Sequence, residues 1–292
     1  MYSIPKELKV DEPRTDRITP ETRILGGSVV VVLLLAFLAL YIAPQHTDQD
    51  FAWTILPPMS AILIGAGYTA GAYFFVRVIT ERKWHRVQAG FLSITAFTIC
   101  MLLATFLHWD RFHQGSPQFI LWFVIYLLTP FVVPFLWWRN RATAFTGLEE
   151  NDLRFSKAAR RVLGGGAVLG ILAFVVVFVV PSILIALAPW KLTPLTARVF
   201  AGWTILTLST VLNVALDGRW SATRYLMEAA MVGLAMCLIA LPRMWGDLDH
   251  TKPMSVALVA GMALALLVLA ALHIWLDARS KRGVSAAVVA QA

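Results

Sequence analysis

Eight stretches of apolar side chains, each bounded by charge or by proline or glycine clusters, restrict this chain to one class of fold. They cover roughly 25–43, 53–79, 87–107, 118–138, 162–188, 199–216, 226–241 and 255–276, the seventh being the shortest. About 20 apolar residues cross the hydrocarbon of a bilayer as a helix. Lipid offers no partner to backbone N–H and C=O groups, so runs of this length must be helical; membrane strands would be shorter and would alternate. With 59% hydrophobic and 14% charged residues, the chain is too apolar for a soluble globular domain. The sequence therefore predicts an all-α, polytopic integral membrane protein with eight transmembrane helices.

Lys and Arg set its orientation. Counting Arg77 with the end of span two, 20 of the 25 basic residues fall on the side that holds the N-terminal tail, the loops after spans two, four and six, and the C-terminal tail. Basic residues collect in cytoplasmic loops, so both termini are expected in the cytoplasm, with the protein in a plasma (inner) membrane. The same distribution accounts for the net charge of +8. Because the basic residues are divided among loops, no nucleic-acid partner is expected. The first two dozen residues are mixed in charge, without the apolar core of a cleavable signal. Thr19-Pro20-Glu21 has the form of a helix start, with a hydroxyl cap, a first-turn proline and a carboxylate at the positive end of the dipole.

Several short patterns recur in fixed order. Arg23-Ile24-Leu25-Gly26-Gly27 returns as Arg161-Val162-Leu163-Gly164-Gly165, and Phe51-Ala52-Trp53-Thr54-Ile55-Leu56 as Phe200-Ala201-Gly202-Trp203-Thr204-Ile205-Leu206. Glu81-Arg82-Lys83-Trp84 matches Asp217-Gly218-Arg219-Trp220. Cys100, Asp110 and His113 recur at the same spacing as Cys237, Asp247 and His250, and these are the only two cysteines. The expectation is two four-helix repeats, 25–138 and 162–276, flanked by tails 1–24 and 277–292 and joined by a cytoplasmic loop 139–161. An even number of spans per unit gives both copies the same topology, related by a pseudo-twofold axis along the membrane normal. Span two differs from span six in its length, its Pro57-Pro58 pair and its run of Gly65, Gly67 and Gly71, which is read as helix packing.

Within the joining loop, Glu150 and Arg154 have the spacing of one helical turn, which predicts an amphipathic surface helix. All eleven tryptophans fall near span ends, as expected of indoles at the headgroup boundary. Buried thiols act as small apolar fillers, the role assigned to both cysteines. Asn213 is assigned an interhelical hydrogen bond.

The candidate chemistry lies on the non-cytoplasmic side, where His108, Asp110, His113, Asp247, Asp249 and His250 gather. Imidazole with carboxylate suits a divalent metal or a proton relay, while short polar loops and helix ends use the same residue types structurally. No histidine pair is expected in mid-membrane, as a transmembrane haem would need, and no ionisable group is placed at the bilayer centre, as a proton-coupled transporter would need. Hydrolase, zinc-protease and dinucleotide motifs are absent. The chain is therefore read as a non-catalytic accessory, assembly or sensory component. Its expected partners are the lipid bilayer and either another membrane protein or a second copy of itself; enzymatic activity is left open, leaning against, and the cofactor is unknown. The alternatives are a carrier or channel for a neutral or lipidic solute, and a metal- or haem-dependent membrane enzyme using the outer Asp and His residues.

Overall fold

Five of the long helices begin at a proline, whose missing N–H has no partner to lose in a first turn. The computed structural model describes residues 15–289, with side chains as far as Lys281; the parts of both expected tails outside that range, and with them the start of the chain, are not described. Among the described residues, eight helices are long and apolar enough to span a membrane. They are α1 (Pro20–Phe37, continued by a wider turn to Ile42), α2 (Pro58–Thr80), α3 (Gln88–Leu107), α4 (Pro117–Arg141), α5 (Lys157–Val179), α6 (Pro194–Asp217), α7 (Trp220–Ile239) and α8 (Pro253–Val289). No strand occurs among the described residues, only isolated bridges between loops.

Ser116, Ser156 and Thr193 cap α4, α5 and α6 by accepting a backbone N–H from the first turn. Thr19 precedes α1 as expected, but its hydroxyl meets that of Thr22 at 3.0 Å and caps no N–H. Arginines complete four helix ends. Arg243 donates to the carbonyls of Tyr41 and Ile42, Arg23 to those of Ile79 and Glu81, Arg198 to those of Phe178 and Val179, and Arg160 to those of Ala215 and Leu216. A guanidinium there supplies both the missing donors and the charge that the helix dipole favours.

In the principal packing, α2 lies on α7 and α3 on α6. Each of these four carries one further helix: α1 on α2, α4 on α3, α5 on α6 and α8 on α7. The outer faces of α5 and α8 are largely uncovered and apolar, as lipid requires. The connections knit into two sets. On one face, here the tail face, Arg17 bridges to Lys83, Arg154 bridges to Arg219, and Ser280 donates to Asn151 O. On the opposite face, Trp53 bridges to Phe112, Asp249 N donates to Pro189 O, and Arg243 reaches the end of α1.

Several boundaries differ from expectation. Span six is not short: α6 has 24 residues against 23 in α2. Its first turns contain Arg198, the charge taken to bound the expected span, whose N–H groups are accepted by carbonyls at the end of α5. Phe51–Leu56 and Phe200–Leu206 are consequently not equivalent, since the first precedes α2 as an irregular segment and the second lies inside α6. Span five ends at Val179 and is followed by the separate short helix Ser182–Leu187. Residues 147–155 form no helix: Leu153 O accepts from Trp220 N and Phe155 N donates to Gly218 O, so the loop is drawn over the α6–α7 turn.

Tryptophans divide by environment. Trp109, Trp138, Trp245 and Trp275 are exposed, whereas Trp53, Trp84, Trp122 and Trp220 are buried. Trp203 sits in the body of α6 with its ring 5.4 Å from Tyr68 and 4.6 Å from Phe97. The glycines of α2 serve packing, as expected. A Cβ on Gly65 would lie 2.9 Å from both the backbone N and the Cβ of Tyr41, and one on Gly67 would meet the ring of Trp203. Asn213 donates to Ser93 Oγ across α6 and α3 at 3.0 Å, and both cysteines are free thiols. Gly65→Ala should therefore cost about 1–3 kcal/mol in reversible unfolding from mixed micelles, because backbone cannot move aside. Gly166→Ala, where nothing lies within 4 Å, should cost nothing; equal effects at the two positions would remove the close-approach explanation.

Candidate functional site at the tail face

The largest concentration of interacting ionisable groups lies at the tail face, opposite the face that the sequence favours. It starts with the segment before α1. Asp16 N donates to Thr143 O and Asp16 O accepts from Trp84 N, which ties this segment to the ends of α4 and α2. Asp16 has a left-handed backbone, φ 48°, a conformation that aspartate tolerates at a small cost. Its Oδ1 accepts from the backbone N–H groups of His85 and Phe145.

His85, in the α2–α3 connection, is fully buried. Its Nδ1 lies 2.5 Å from Asp16 Oδ2 and its Nε2 lies 2.8 Å from Glu149 Oε1. Nδ1 is in hydrogen-bond geometry with Asp16, whereas Nε2 faces Glu149 as an ion-pair contact outside hydrogen-bond geometry; a carboxylate at each nitrogen favours the imidazolium over the neutral ring. Burial pushes the His85 value down, but the bonds to Asp16 and Glu149 outweigh it and hold the group above its ordinary value. Burial likewise raises both carboxyls, yet the bonds from His85, with those from Arg86 to Glu149, hold them below the usual carboxylate range.

From Glu149 the contacts run inward. Arg86 donates to both Glu149 oxygens at 2.9 and 2.6 Å and pairs with Glu81 at 3.2 Å. Glu81 also accepts from Tyr225 of α7 at 2.6 Å. Burial raises the Glu81 carboxyl, but the bonds from Tyr225 and from two backbone N–H groups leave it lowered. Farther along α7, Glu228 accepts from Tyr73 and Arg77 of α2, from Arg224 of its own helix at 3.0 Å and from His273 of α8 at 3.1 Å. Arg77 also lies over the Tyr225 ring, 4.9 Å from its centroid. An open cavity of about 600 Å³ sits among these groups, its wall including Asp16, His85, Glu149, Ser221, Arg224 and Asp277.

The six candidates from the sequence occupy separate places on the opposite face. His113 contacts Thr54 Oγ1 at 3.0 Å and Phe51 O at 3.1 Å, pinning the segment before α2. His108 accepts from Arg198 at 2.7 Å; burial and that guanidinium hold its value down. Asp110 pairs with its neighbour Arg111 at the surface. Asp247 accepts from Met59 N in the first turn of α2 at 2.8 Å, Asp249 accepts from Thr251, and His250 contacts Trp245 O at 3.0 Å. Among the described residues no three His, Cys, Asp or Glu side chains are grouped to hold a metal ion.

Asp16, His85, Glu149 and Glu228 do not stand out as a site in the sequence, because they are scattered along it and each has the form of a routine loop or helix-end charge. One signal was available: among the described residues, every glutamate falls toward the side with most of the Lys and Arg. Comparison of the chain with family models, curated proteins and solved structures finds no match.

Proposed function

We propose that this protein is a non-catalytic membrane component of the accessory, assembly or sensory type, and that the tail-face cavity is its responsive part. One observation carries this. The cavity wall is shared between the two halves of the chain and the loop that joins them, with His85 and the preceding Asp16 on the first side, Glu149 from the joining loop, and Ser221, Arg224 and the following Asp277 on the second. A molecule or partner segment held there contacts both, and so acts on the α2–α7 seam immediately beneath, where Tyr73 and Arg77 meet Glu228. Binding that differs between two arrangements of the seam shifts their populations.

The halves are proposed to be tandem copies in parallel orientation about an axis along the membrane normal. The principal helix contacts support this, because exchanging α1–α4 with α5–α8 leaves the set unchanged. So do the arginines: Arg23 in the first turn of α1 completes the end of α2 as Arg160 in the first turn of α5 completes the end of α6. Arg23 and Arg160 have the spacing that separates Cys100 from Cys237, which makes Arg160, and not Arg161, the counterpart. The tail face, rich in Lys and Arg, is assigned to the cytoplasm and the protein to a plasma (inner) membrane. A membrane-protein partner or a second copy is the proposed associate, with the uncovered faces of α5 and α8 available to it.

Native mass spectrometry from mild detergent tests the proposal. The expected spectrum carries lipid, with or without a second copy, and no stoichiometric metal or haem. A metal or haem that survives chelation and is lost in His113→Ala/His250→Ala would replace the proposal with the enzyme alternative. Solute uptake by proteoliposomes above empty-vesicle leakage would replace it with the carrier.

A further inference from the structure

The connection from α4 to α5 crosses the cavity as a strap, and its hold on the rest of the tail face differs along its length. At its start, Phe145 O and Gly147 O accept from Arg219 at 2.9 and 3.0 Å. Toward its end, Asp152 accepts from Ser221 N and Oγ at 2.9 and 2.5 Å, and Leu153 O from Trp220 N. Between these anchors the strap is held through Glu149 alone of its acids, to His85, Arg86 and Lys83. We infer that His85 is a protonation-dependent latch: as an imidazolium it fastens the strap and the segment before α1 over the cavity, and on losing a proton it loosens the stretch around Glu149, residues 148–151, between anchors that stay in place.

The two carboxylates respond unequally. A neutral ring keeps one N–H. Among the described residues, Asp16 receives its remaining hydrogen bonds from backbone N–H groups and feels Arg219 only through space, whereas Glu149 is also paired with Arg86 and Lys83. The retained proton therefore stays on Nδ1 toward Asp16, and Nε2 presents a lone pair to Glu149 Oε1 at an ion-pair distance. Two acceptors at 2.8 Å repel, and the movable partner is the strap.

The surroundings of His85 set the direction of the response. From the first segment it faces Asp16, and from the strap Glu149 and the Phe145 ring, 5.7 Å away between centroids. From the α6–α7 turn it feels Arg219, a like charge largely neutralised by Asp217. Its own connection supplies Lys83 and Arg86, both directed at Glu149. A histidine held above its ordinary value contributes its full tie below that ordinary value, about 6.5, and loses it as pH rises through the raised one. Carboxyls held below their ordinary range contribute above it and lose their tie as pH falls through the lowered values. The latch is thus closed in mildly acidic solution and opens on the alkaline side.

The inference rests on the proposed role of the cavity for its purpose, but opening is measurable with no ligand present. Hydrogen exchange of the full chain in nanodiscs, corrected for the intrinsic effect of pH on exchange, should show protection of the Asp152 amide, which donates to Glu149 O at 3.0 Å, falling about tenfold or more between pH 6 and pH 9, the equilibrium value of one charge-assisted contact. The helices should stay protected throughout. His85→Gln should give low protection at both pH values and no step. Glu149→Gln removes a carboxylate that holds the imidazolium, so any remaining step should move to lower pH, which keeps the test decisive if His85→Gln fails to fold. Unchanged protection in the native chain, or an undiminished step in His85→Gln, overturns the latch. A latch that operates while native mass spectrometry finds a stoichiometric metal or haem leaves the inference standing and removes the proposed function.

Discussion

Arg219→Ala should destabilise the protein by about 3–5 kcal/mol, the cost expected when one member of a buried ion pair is removed. Both partners are nearly enclosed, with side-chain exposures of 8% for Arg219 and 10% for Asp217. The guanidinium donates to both Asp217 oxygens at 2.6 and 2.7 Å while its third corner binds the strap carbonyls. Removal leaves a carboxylate without its cation and two carbonyls without donors. Reversible unfolding in mixed micelles measures the loss. The double variant Arg219→Ala/Asp217→Ala should recover part of it, because the orphaned charge is then gone. If the double variant is as damaged as the sum of the singles, the penalty does not arise from a stranded carboxylate.

Glu228→Ala should cost about 2–3 kcal/mol, less than Arg219→Ala because the partner arginines are partly exposed and screened. Its effect should be concentrated at α8. That helix packs principally on α7, and its polar attachment there runs through His273 to Glu228 and through Asp277 to Arg224. Faster exchange and proteolysis at the end of α8, with α2 to α6 unaffected, is the expected pattern. Glu228→Gln keeps an acceptor for Tyr73 and should cost less. Uniform loosening of all helices would mean that Glu228 supports the whole bundle and not this one attachment.

Much of the architecture is legible along the chain because burial in lipid acts on every residue of a span, so hydropathy alone reveals eight helices. Their starts are legible where a hydroxyl precedes a proline, as at Thr193-Pro194. A span bounded at its nearest charge is cut short where that charge finds hydrogen-bond acceptors on another helix: Arg198 marks the start of the expected span, yet its N–H groups are accepted by carbonyls at the end of α5. The helix expected at Glu150 and Arg154 fails for a related reason. An isolated pair contributes only a few tenths of a kcal/mol, while Asp152, Leu153 and Phe155 bond to the α6–α7 turn.

Sequence proximity and the fold group the ionisable residues differently. Grouping Asp and His by proximity in sequence selects helix-end residues, and on the opposite face these hold the ends of helices in place. The interacting cluster on the tail face joins residues as far apart as Asp16 and Asp277. Periodicity and spacing carry no information about pairs of that separation.

One cap has a consequence for biosynthesis. The first-turn N–H of Met59 receives its carboxylate from Asp247, far downstream and in the opposite half of the chain. When the ribosome has delivered only the first four helices, α2 has neither that acceptor nor its seam with α7. The opening helices therefore wait, incompletely assembled, until nearly the whole polypeptide has entered the bilayer, and the closing of the bundle is a late event set by the order of synthesis.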